Sequence, residues 1–524
     1  ECLEYKRLNC KEEVTVGAFP AVKSFCKLFD SLATKENGCD IEQKTGPKMF
    51  QMWFMYCICW SIGGALSEAG RETFDKFFRE IAEPSYPSMA GSTVFEYFVD
   101  VKKQDWSLWR TQVDKTWKPK PGTSFFNIYV PTLDTVRYKF LVNTMLKDRH
   151  YPLLVGNTGT GKTCCAVNCL GEGSILPEEN VVTLTLNFSA ATSSIATQTT
   201  LETRLEKRQR ANLGPVGSRE RLLVFIDDLN MPRKDEYGSQ PPIELLKQWM
   251  DNKFWYDRKK QAKKNILGMQ IMAAMGPPGG ARSVISTRFQ SRMHVINFTF
   301  PDWGTVEYIF KTMLSNHLSS FPEEIASMAE SVTQGSCELF QLMADNFKPT
   351  PSKCHYVFNL RDIAKVTQGI MQISKSELET TNSMVGLWVH ESMRIFHDRL
   401  NDDPDRKKFL QMLGQKLETK FDTNWETVFG DENVMPVFGR FLGDPDYGDV
   451  KGGDDDDDAD QNIFSIQKYQ NLTRDMKGLK DKLLERLEAC NDDPTAAKPG
   501  NLVLFDQAIR HISRICRVIA QPRG

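Results

Sequence analysis

Residues 151–163 read YPLLVGNTGTGKT, a short apolar strand that runs directly into the pattern G-x-x-x-x-G-K-T. This pattern is typical of a phosphate-binding loop. Its glycines, Gly156, Gly159 and Gly161, let backbone N–H groups close around an anion without a Cβ in the way. The helix that opens after the loop directs the positive end of its dipole at the same anion. The stretch therefore predicts a binding site for a nucleoside triphosphate.

Two side chains of the loop have specific roles in this prediction. Lys162 is expected to reach the β- and γ-phosphates, and the Thr163 hydroxyl is expected to bind Mg²⁺. The residues predicted to hold the nucleotide are those of the loop itself: Gly156, Asn157, Thr158, Gly159, Thr160, Gly161, Lys162 and Thr163.

A second motif, LLVFIDDLN at residues 222–230, supplies the acidic half of such a site. Its apolar run places Asp227 at the carboxyl end of a buried strand, where ligands bind in open α/β sheets. Asp227 is expected to hold Mg²⁺, and Asp228 is expected to polarise the attacking water. The alternative is that two aspartates simply end a strand before a turn.

The pattern along the chain predicts an α/β fold with a doubly wound parallel sheet, because apolar strands alternate with helices. The predicted strands are residues 151–155, 181–189, 221–230, 269–276 and 293–301. A helix is predicted over residues 193–210, with a basic end. The run at residues 52–66 is shorter than the ~20 residues that a bilayer requires, so we expect a buried helix there.

Five regions are expected. Helical patterns dominate residues 1–117, the α/β pattern occupies 118–302, helices return over 303–442, an acidic loop covers 443–462, and helices close the chain over 463–524. The acidic stretch is read as solvated because consecutive carboxylates repel one another and cannot form a core.

Composition is that of an ordinary soluble protein, with 40% hydrophobic and 26% charged residues among 524. The net charge of −2 gives no bias toward nucleic acid or an anionic membrane. The 13 cysteines lack metal-ligand spacing, so free thiols in a reducing cytosol are expected. We identify no signal peptide.

Taken together, these motifs resemble an AAA+ module, and longer stretches resemble the third AAA+ module of a dynein heavy chain in its axonemal branch. The segments that carry the resemblance include FFNIYVPTLDTVRYKFLV, LLVGNTGTGKT, FIDDLNMP, YGSQPPIELLKQWMD, FWYDR, MAAMGPPGGARSVISTRF and YVFNLRDIAKVTQGI. Residues 1–117 resemble the helical small subdomain of the second module, residues 303–442 that of the third, and the end of the chain, VIAQPRG, resembles the approach to the fourth. The sequence is thus expected to be a piece of a longer motor chain.

The resemblance implies a function and a location. The motor would move on microtubules and drive ciliary or flagellar beating, and this module would bind ATP or ADP with Mg²⁺. Its expected partners are microtubules, intermediate and light chains, and the adjacent AAA+ modules, with no nucleic acid and no membrane. The expected location is the cytoskeleton of the cytoplasm, in the axoneme, with a lean toward an inner dynein arm from GPPGG and GSQPPIEL.

Five further residues take roles from the resemblance. Arg361, in FNLRD, matches the sensor arginine that contacts the γ-phosphate. Arg288, in STRF, matches the arginine finger that serves the neighbouring module, and Arg292 is the second candidate. Val130 and Thr132 lie where the family contacts adenine. The alternative for each arginine is a solvated surface charge.

Two residues depart from the family pattern. AAA+ ATPases usually have glutamate where Asp228 stands, and other branches have a sensor asparagine where Gly276 stands. Aspartate is one methylene shorter, and a misplacement on that scale can cost about a hundredfold in rate. The sequence therefore predicts tight nucleotide binding with slow hydrolysis, as expected of a regulatory site.

Two other functions stay open at this point. One is a non-motor giant AAA+ assembly or remodelling ATPase. The other is nucleic-acid handling, suggested by the basic residues between Arg204 and Arg221, although no aromatic residues interleave there for base stacking.

Overall fold

The computed structural model describes residues 1–82, 93–120, 123, 125–171, 173–280, 282–431, 434–439, 469–492, 500 and 502–519. The chain divides into two compact units. The first comprises residues 1–117 and 122–302, and the second comprises 118–121 and 303–524. The acidic loop expected at residues 443–462 lies outside the described residues.

The first unit combines helices with a central sheet. Its helices are α1 (Cys2–Asn9), α2 (Ala18–Leu32), α3 (Gly46–Ile62), α4 (Glu68–Ala82), α5 (Leu133–Lys147), α6 (Lys162–Leu170), α7 (Ser194–Glu202), α8 (Pro241–Asn252) and α9 (Thr287–Gln290). Its strands are β1 (Tyr97–Asp100), β2 (Asp105–Leu108), β3 (Pro152–Val155), β4 (Val181–Asn187), β5 (Leu205–Lys207), β6 (Asn212–Pro215), β7 (Arg221–Asp227), β8 (Phe254–Tyr256), β9 (Lys263–Ile266), β10 (Met269–Met275) and β11 (His294–Asn297).

Five parallel strands form the central sheet in the order β11-β3-β10-β7-β4. Strands β3 and β10 are buried throughout, and β7 is buried from Leu222 to Ile226. Near-continuous apolar runs suit strands covered on both faces. The predicted α/β class with a parallel sheet is confirmed. Since β3 and β7 both flank β10, the phosphate loop and the two aspartates emerge at the same edge of the sheet.

The helices at the start of the chain pack against this sheet. Arg71 of α4 is buried and donates to the carbonyl oxygens of Gly64, at 3.1 Å, and Asn297, at 2.6 Å. It also donates to the Tyr138 hydroxyl at 3.1 Å. The apolar run at residues 52–66 lies mostly within α3, a buried helix as predicted. Among the described residues, no helix has both the length and the apolar character needed to cross a membrane.

Two local expectations were wrong. Strands β1 and β2 form an antiparallel hairpin in a region expected to be helical. The helix predicted over residues 193–210 ends at Glu202, and β5 then joins a second sheet of order β5-β6-β9-β8. The Glu206 carboxylate accepts the N–H groups of Gly217 and Ser218, so strand pairing and this turn outweigh the helical charge pattern.

The second unit is mainly helical. Its elements are α10 (Trp303–Leu318), α11 (Glu323–Ser327), α12 (Ala329–Asn346), α13 (Leu360–Ile370), α14 (Thr381–Ile395), α15 (Asp403–Phe421), α16 (Trp425–Phe429), β12 (Phe438–Gly439), β13 (Gln470–Asn471), α17 (Met476–Asp492) and α18 (Asp506–Ile519). The two short strands pair in antiparallel fashion.

A buried ion cluster joins α14 to α18 within this unit. Glu391 is fully buried and accepts from Arg517 at 2.9 Å, Arg394 at 3.0 Å and the Tyr469 hydroxyl at 2.7 Å. Burial alone would raise the pKa of Glu391, but the guanidinium groups of Arg517 and Arg394 outweigh it and lower the pKa to about 2. The carboxylate is therefore ionised in the folded unit and fully paired.

Candidate nucleotide site

The backbone of the predicted phosphate loop requires its glycines. Strand β3 ends at Val155 and α6 begins at Lys162, so the loop lies between them. Gly156 has φ +152°, and a Cβ there would lie 2.5 Å from the Phe298 carbonyl oxygen. Gly161 has φ +83°, in the left-handed region that L side chains rarely adopt. The loop is thus shaped by glycine at both ends.

Lys162 lies against the backbone of this loop. Its ammonium donates to the carbonyl oxygens of Gly156, at 2.8 Å, and Asn157, at 2.7 Å. The Thr160 hydroxyl donates to the same Asn157 carbonyl at 3.0 Å. These bonds hold the positive charge at the loop, where the predicted phosphates would bind.

Thr163 and Asp227 meet across the sheet edge. The Thr163 hydroxyl donates to the Asp227 carboxylate at 2.8 Å, although the two residues come from α6 and β7. The other carboxylate oxygen accepts the Asp228 N–H at 3.0 Å. Hydroxyl and carboxylate oxygens are the ligands that Mg²⁺ prefers beside a nucleotide. The pair therefore fits the metal that the sequence predicts.

Asp228 is the first residue after β7. Its φ is +52°, and its side chain is about half exposed. The N–H of Leu229 donates to Ala274 of β10 at 3.0 Å, which fixes the backbone after the turn. The carboxylate lies 3.9 Å from the Arg282 guanidinium. Asp228 thus lies beside Arg282 in a strained, hydrogen-bonded turn.

Val130 and Thr132, the residues expected near adenine, have clear structural roles. Val130 is buried, and Thr132 is the N-cap of α5, where its hydroxyl accepts the Thr135 N–H at 3.2 Å. The Thr135 hydroxyl in turn accepts the Thr132 N–H at 2.6 Å, which completes a capping box. Their contact with a nucleotide stays a prediction.

The three arginines with roles from the resemblance differ in their surroundings. Arg292 forms a two-pronged ion pair with Asp251, at 2.7 and 3.0 Å, and also donates to the Arg288 carbonyl. The Arg288 side chain itself is exposed on α9. Arg361 lies exposed in the first turn of α13, in the second unit, and its N–H donates to Asn359 at 2.9 Å.

Sequence reasoning missed Arg282. Its guanidinium donates to the Thr158 hydroxyl of the phosphate loop at 3.3 Å. It occupies the space beside Gly276, where an added Cβ would lie 2.7 Å from its Cζ. No local motif signals this position, because residues 276–282 read GPPGGAR and the place of the arginine depends on how that segment folds.

The basic segment between Arg204 and Arg221 binds the chain's own backbone. Arg208 donates to the Pro215 carbonyl at 2.7 Å, and Arg219 donates to the Val181 carbonyl at 2.9 Å. Arg221 donates to the Leu146 carbonyl at 3.0 Å. These hydrogen bonds give Arg208, Arg219 and Arg221 structural roles.

Three family models match separate parts of the chain. Residues 117–301 match the P-loop containing dynein motor region, residues 1–111 match the dynein heavy chain AAA lid domain, and residues 309–406 match the dynein heavy chain ATPase lid domain. All three describe dynein regions, so these matches do not favour a non-motor AAA+ assembly factor.

Curated relatives extend this similarity over the full chain. The chain is 40% identical over 523 residues to dynein axonemal heavy chain 2 of Homo sapiens, which covers 100% of this chain and 11% of the relative. It is 39% identical over 558 residues to the dynein-1-beta heavy chain, flagellar inner arm I1 complex, of Chlamydomonas reinhardtii, which covers 100% of this chain and 12% of the relative. The chain thus spans only about a tenth of the length of these relatives. It belongs to the dynein heavy chain family.

Proposed function

We propose that this chain supplies a regulatory nucleotide site, for ATP or ADP with Mg²⁺, within a dynein-type ATPase motor. The observation that carries the proposal is the hydrogen bond between Thr163 and Asp227. It joins the end of the phosphate loop to the acidic strand end, as a shared metal ligand set requires. The glycine-shaped loop and Lys162 provide the phosphate contacts.

Slow hydrolysis at this site is part of the proposal. Asp228 carries the shorter carboxylate, and Gly276 has no side chain with which to orient water. The groups that bind phosphate are all present, whereas the groups that activate water are altered. A nucleotide held in this way would set the stiffness of its module, and the main turnover would occur elsewhere in the motor.

Two arginines have further roles in the proposal. Arg361 would contact the γ-phosphate of the nucleotide on this module, and Arg288 would serve the nucleotide of the neighbouring module. Arg292 is less suited because Asp251 already binds it on two oxygens. Val130 and Thr132 would border the adenine through their backbone.

The wider role follows from the relatives. Their names describe axonemal and flagellar inner-arm heavy chains. We infer that the motor containing this chain works on microtubules in a ciliary or flagellar axoneme, with intermediate and light chains as partners. Within the motor, the adjacent AAA+ modules would be the direct neighbours of this one.

The test uses the purified chain, a fluorescent ATP analogue with Mg²⁺, and a phosphate-release assay. We expect saturable binding that Lys162→Ala reduces by roughly 100-fold or more, since a charged phosphate contact is lost. We expect slow phosphate release, and a faster rate in Asp228→Glu, which restores the missing methylene. Arg219→Ala, an equal loss of charge at the opposite end of the strands, should change neither quantity.

Two results would count against the proposal. Binding that is unaffected by Lys162→Ala would place the nucleotide elsewhere. Fast hydrolysis by the unaltered chain, abolished by Asp228→Asn, would show that the catalytic groups are complete and that the site is not a slow one.

A further inference from the structure

Arg282 stands among three parts of the proposed nucleotide site. Its guanidinium donates to Thr158, in the phosphate loop, at 3.3 Å. It lies 3.9 Å from the carboxylate of Asp228, which follows the proposed metal ligand. It also fills the space beside Gly276, at the end of β10. A cation in this position faces the region where the terminal phosphate of a nucleotide would lie.

The backbone that carries Arg282 is closed on itself. Gly279 and Arg282 exchange two backbone hydrogen bonds of 3.1 Å, and Gly279 and Gly280 have φ of +142° and +60°. Glycine is the residue that adopts both angles readily. This turn reverses the chain after β10 and returns the arginine over the strand end that it has just left.

Asn230 joins this turn to the segment that follows β7 through two hydrogen bonds. Its side-chain amide donates to the Gly276 carbonyl at 2.9 Å, and its own carbonyl accepts the Ser283 N–H at 3.0 Å. Asn230 is fully buried. Both ends of the turn are therefore held to the segment that follows Asp228, so the guanidinium is positioned by the fold and is not a free surface charge.

The guanidinium keeps most of its hydrogen-bonding capacity. Its bond to Thr158 uses a neutral hydroxyl, and its distance to the half-exposed Asp228 makes that ion pair a weak one. The Nε atom is buried and has no hydrogen-bond partner among the described residues. Arginine offers five N–H donors in a planar fork that matches the oxygens of a phosphate.

We propose that Arg282 binds the terminal phosphate of a nucleoside triphosphate and makes this site prefer triphosphate to diphosphate. The proposal also requires Gly276, because any side chain at that position would displace the Arg282 guanidinium. This proposal rests on the proposed function, since it requires a nucleotide on the phosphate loop. In this proposal, the Arg282 guanidinium fills the space beside Gly276, where other branches of the family have a sensor asparagine.

The test measures two affinities of the full chain with Mg²⁺, by displacement of a fluorescent ADP analogue. One competitor is ADP, and the other is a non-hydrolysable ATP analogue. Arg282→Ala should weaken the ATP analogue by roughly 10- to 100-fold and ADP by less than about 3-fold, because only the γ-phosphate loses its contact. Gly276→Ala should shift the preference in the same direction, and Arg282→Lys should keep part of it.

Controls separate this inference from the function on which it rests. Arg219→Ala should leave both affinities unchanged, and thermal unfolding without nucleotide should show that the variants fold. If Arg282→Ala does not fold, Arg282→Lys takes its place, and an unchanged ratio of the two affinities would overturn the inference. If Lys162→Ala abolishes binding while the Arg282 variants keep the ratio, only this inference is wrong. If Lys162→Ala has no effect, the nucleotide site itself is wrong and this inference fails with it.

Discussion

At the scale of single residues, the hydroxyl of Thr163 is the smallest group on which the proposed metal site depends. It is already hydrogen-bonded to Asp227 at 2.8 Å. The carboxylate is therefore aimed at the loop by a neighbour on another element, which shortens the rearrangement needed to share a metal ion. Removing the hydroxyl while keeping the volume separates this aiming role from packing.

Thr163→Val is the corresponding test. We expect nucleotide affinity to lose most of its dependence on Mg²⁺ and to fall by roughly 10- to 100-fold at saturating Mg²⁺, because one metal ligand and the bond to Asp227 are both lost. Titration of Mg²⁺ against a fluorescent nucleotide measures this. Thr200→Ala, an exposed helical threonine, is the control. An unchanged Mg²⁺ dependence would mean that Thr163 is not a metal ligand.

The residues of this site differ in how far sequence could predict them. The loop glycines, Lys162 and Asp227 could be predicted because each lies in a short motif at the end of an apolar strand. Arg282 does not follow from its neighbours. Its place depends on where a two-glycine turn folds and on the absence of a side chain at Gly276, and both are properties of three-dimensional packing.

At the scale of elements, buried polar contacts join the first helices to the sheet in addition to a shared apolar core. The guanidinium of Arg71 satisfies two carbonyl oxygens from different parts of the chain and the hydroxyl of Tyr138. Asn297, at the end of β11, also donates to the Leu66 carbonyl at 2.8 Å. Because these groups are buried, the loss of one hydrogen bond lowers the free energy of unfolding more than the loss of a bond at the surface.

Arg71→Met should reveal the strength of this junction. We expect the free energy of unfolding to fall by about 3 kcal/mol, because buried carbonyl groups lose their donor. Urea unfolding of the chain measures the change. Arg7→Met, at an exposed residue of α1, should change it by less than about 0.5 kcal/mol. Equal changes in the free energy of unfolding for the two variants would show that the buried hydrogen bonds of Arg71 do not add to stability.

Local sequence patterns predicted some elements of the first unit correctly and failed for β5. The core strands were predicted closely, since apolar runs and turn residues bound them. Residues 205–210 carry a helical charge pattern, yet β5 forms there because a partner strand lies at hand in β6. The availability of a partner strand cannot be read from a single segment, so tertiary pairing determined the result.

At the scale of the whole molecule, each unit carries a buried histidine that should make stability depend on pH. His294 of β11 is buried, and burial lowers its pKa to about 3 from 6.5. His390 of α14 is also buried, and burial lowers its pKa to about 4. Both are neutral in the folded state, whereas the unfolded chain takes up protons below about pH 6.5.

Stability should therefore fall as the pH falls from 6.5 toward the folded pKa values, because the unfolded state binds more protons in that window. For His294 the loss between pH 6.5 and about pH 5 should be about 2 kcal/mol. Urea unfolding at both pH values measures it. His294→Leu should remove that share of the dependence, and His355→Leu, on an exposed residue, should not. A slope unchanged by His294→Leu would show that this residue takes up no proton on unfolding.

The ion cluster around Glu391 has a consequence for chain continuity. Arg517 and Tyr469 reach Glu391 from beyond residues 440–468, and β13 pairs with β12 across the same interval. Hydrogen bonds and an ion pair of the second unit thus join residues before that interval to residues after it. Two separately expressed pieces that end and begin around it would carry complementary halves of a buried charge pair. The two pieces are expected to associate through these contacts. The affinity between them would measure how strongly α18 binds the rest of the second unit.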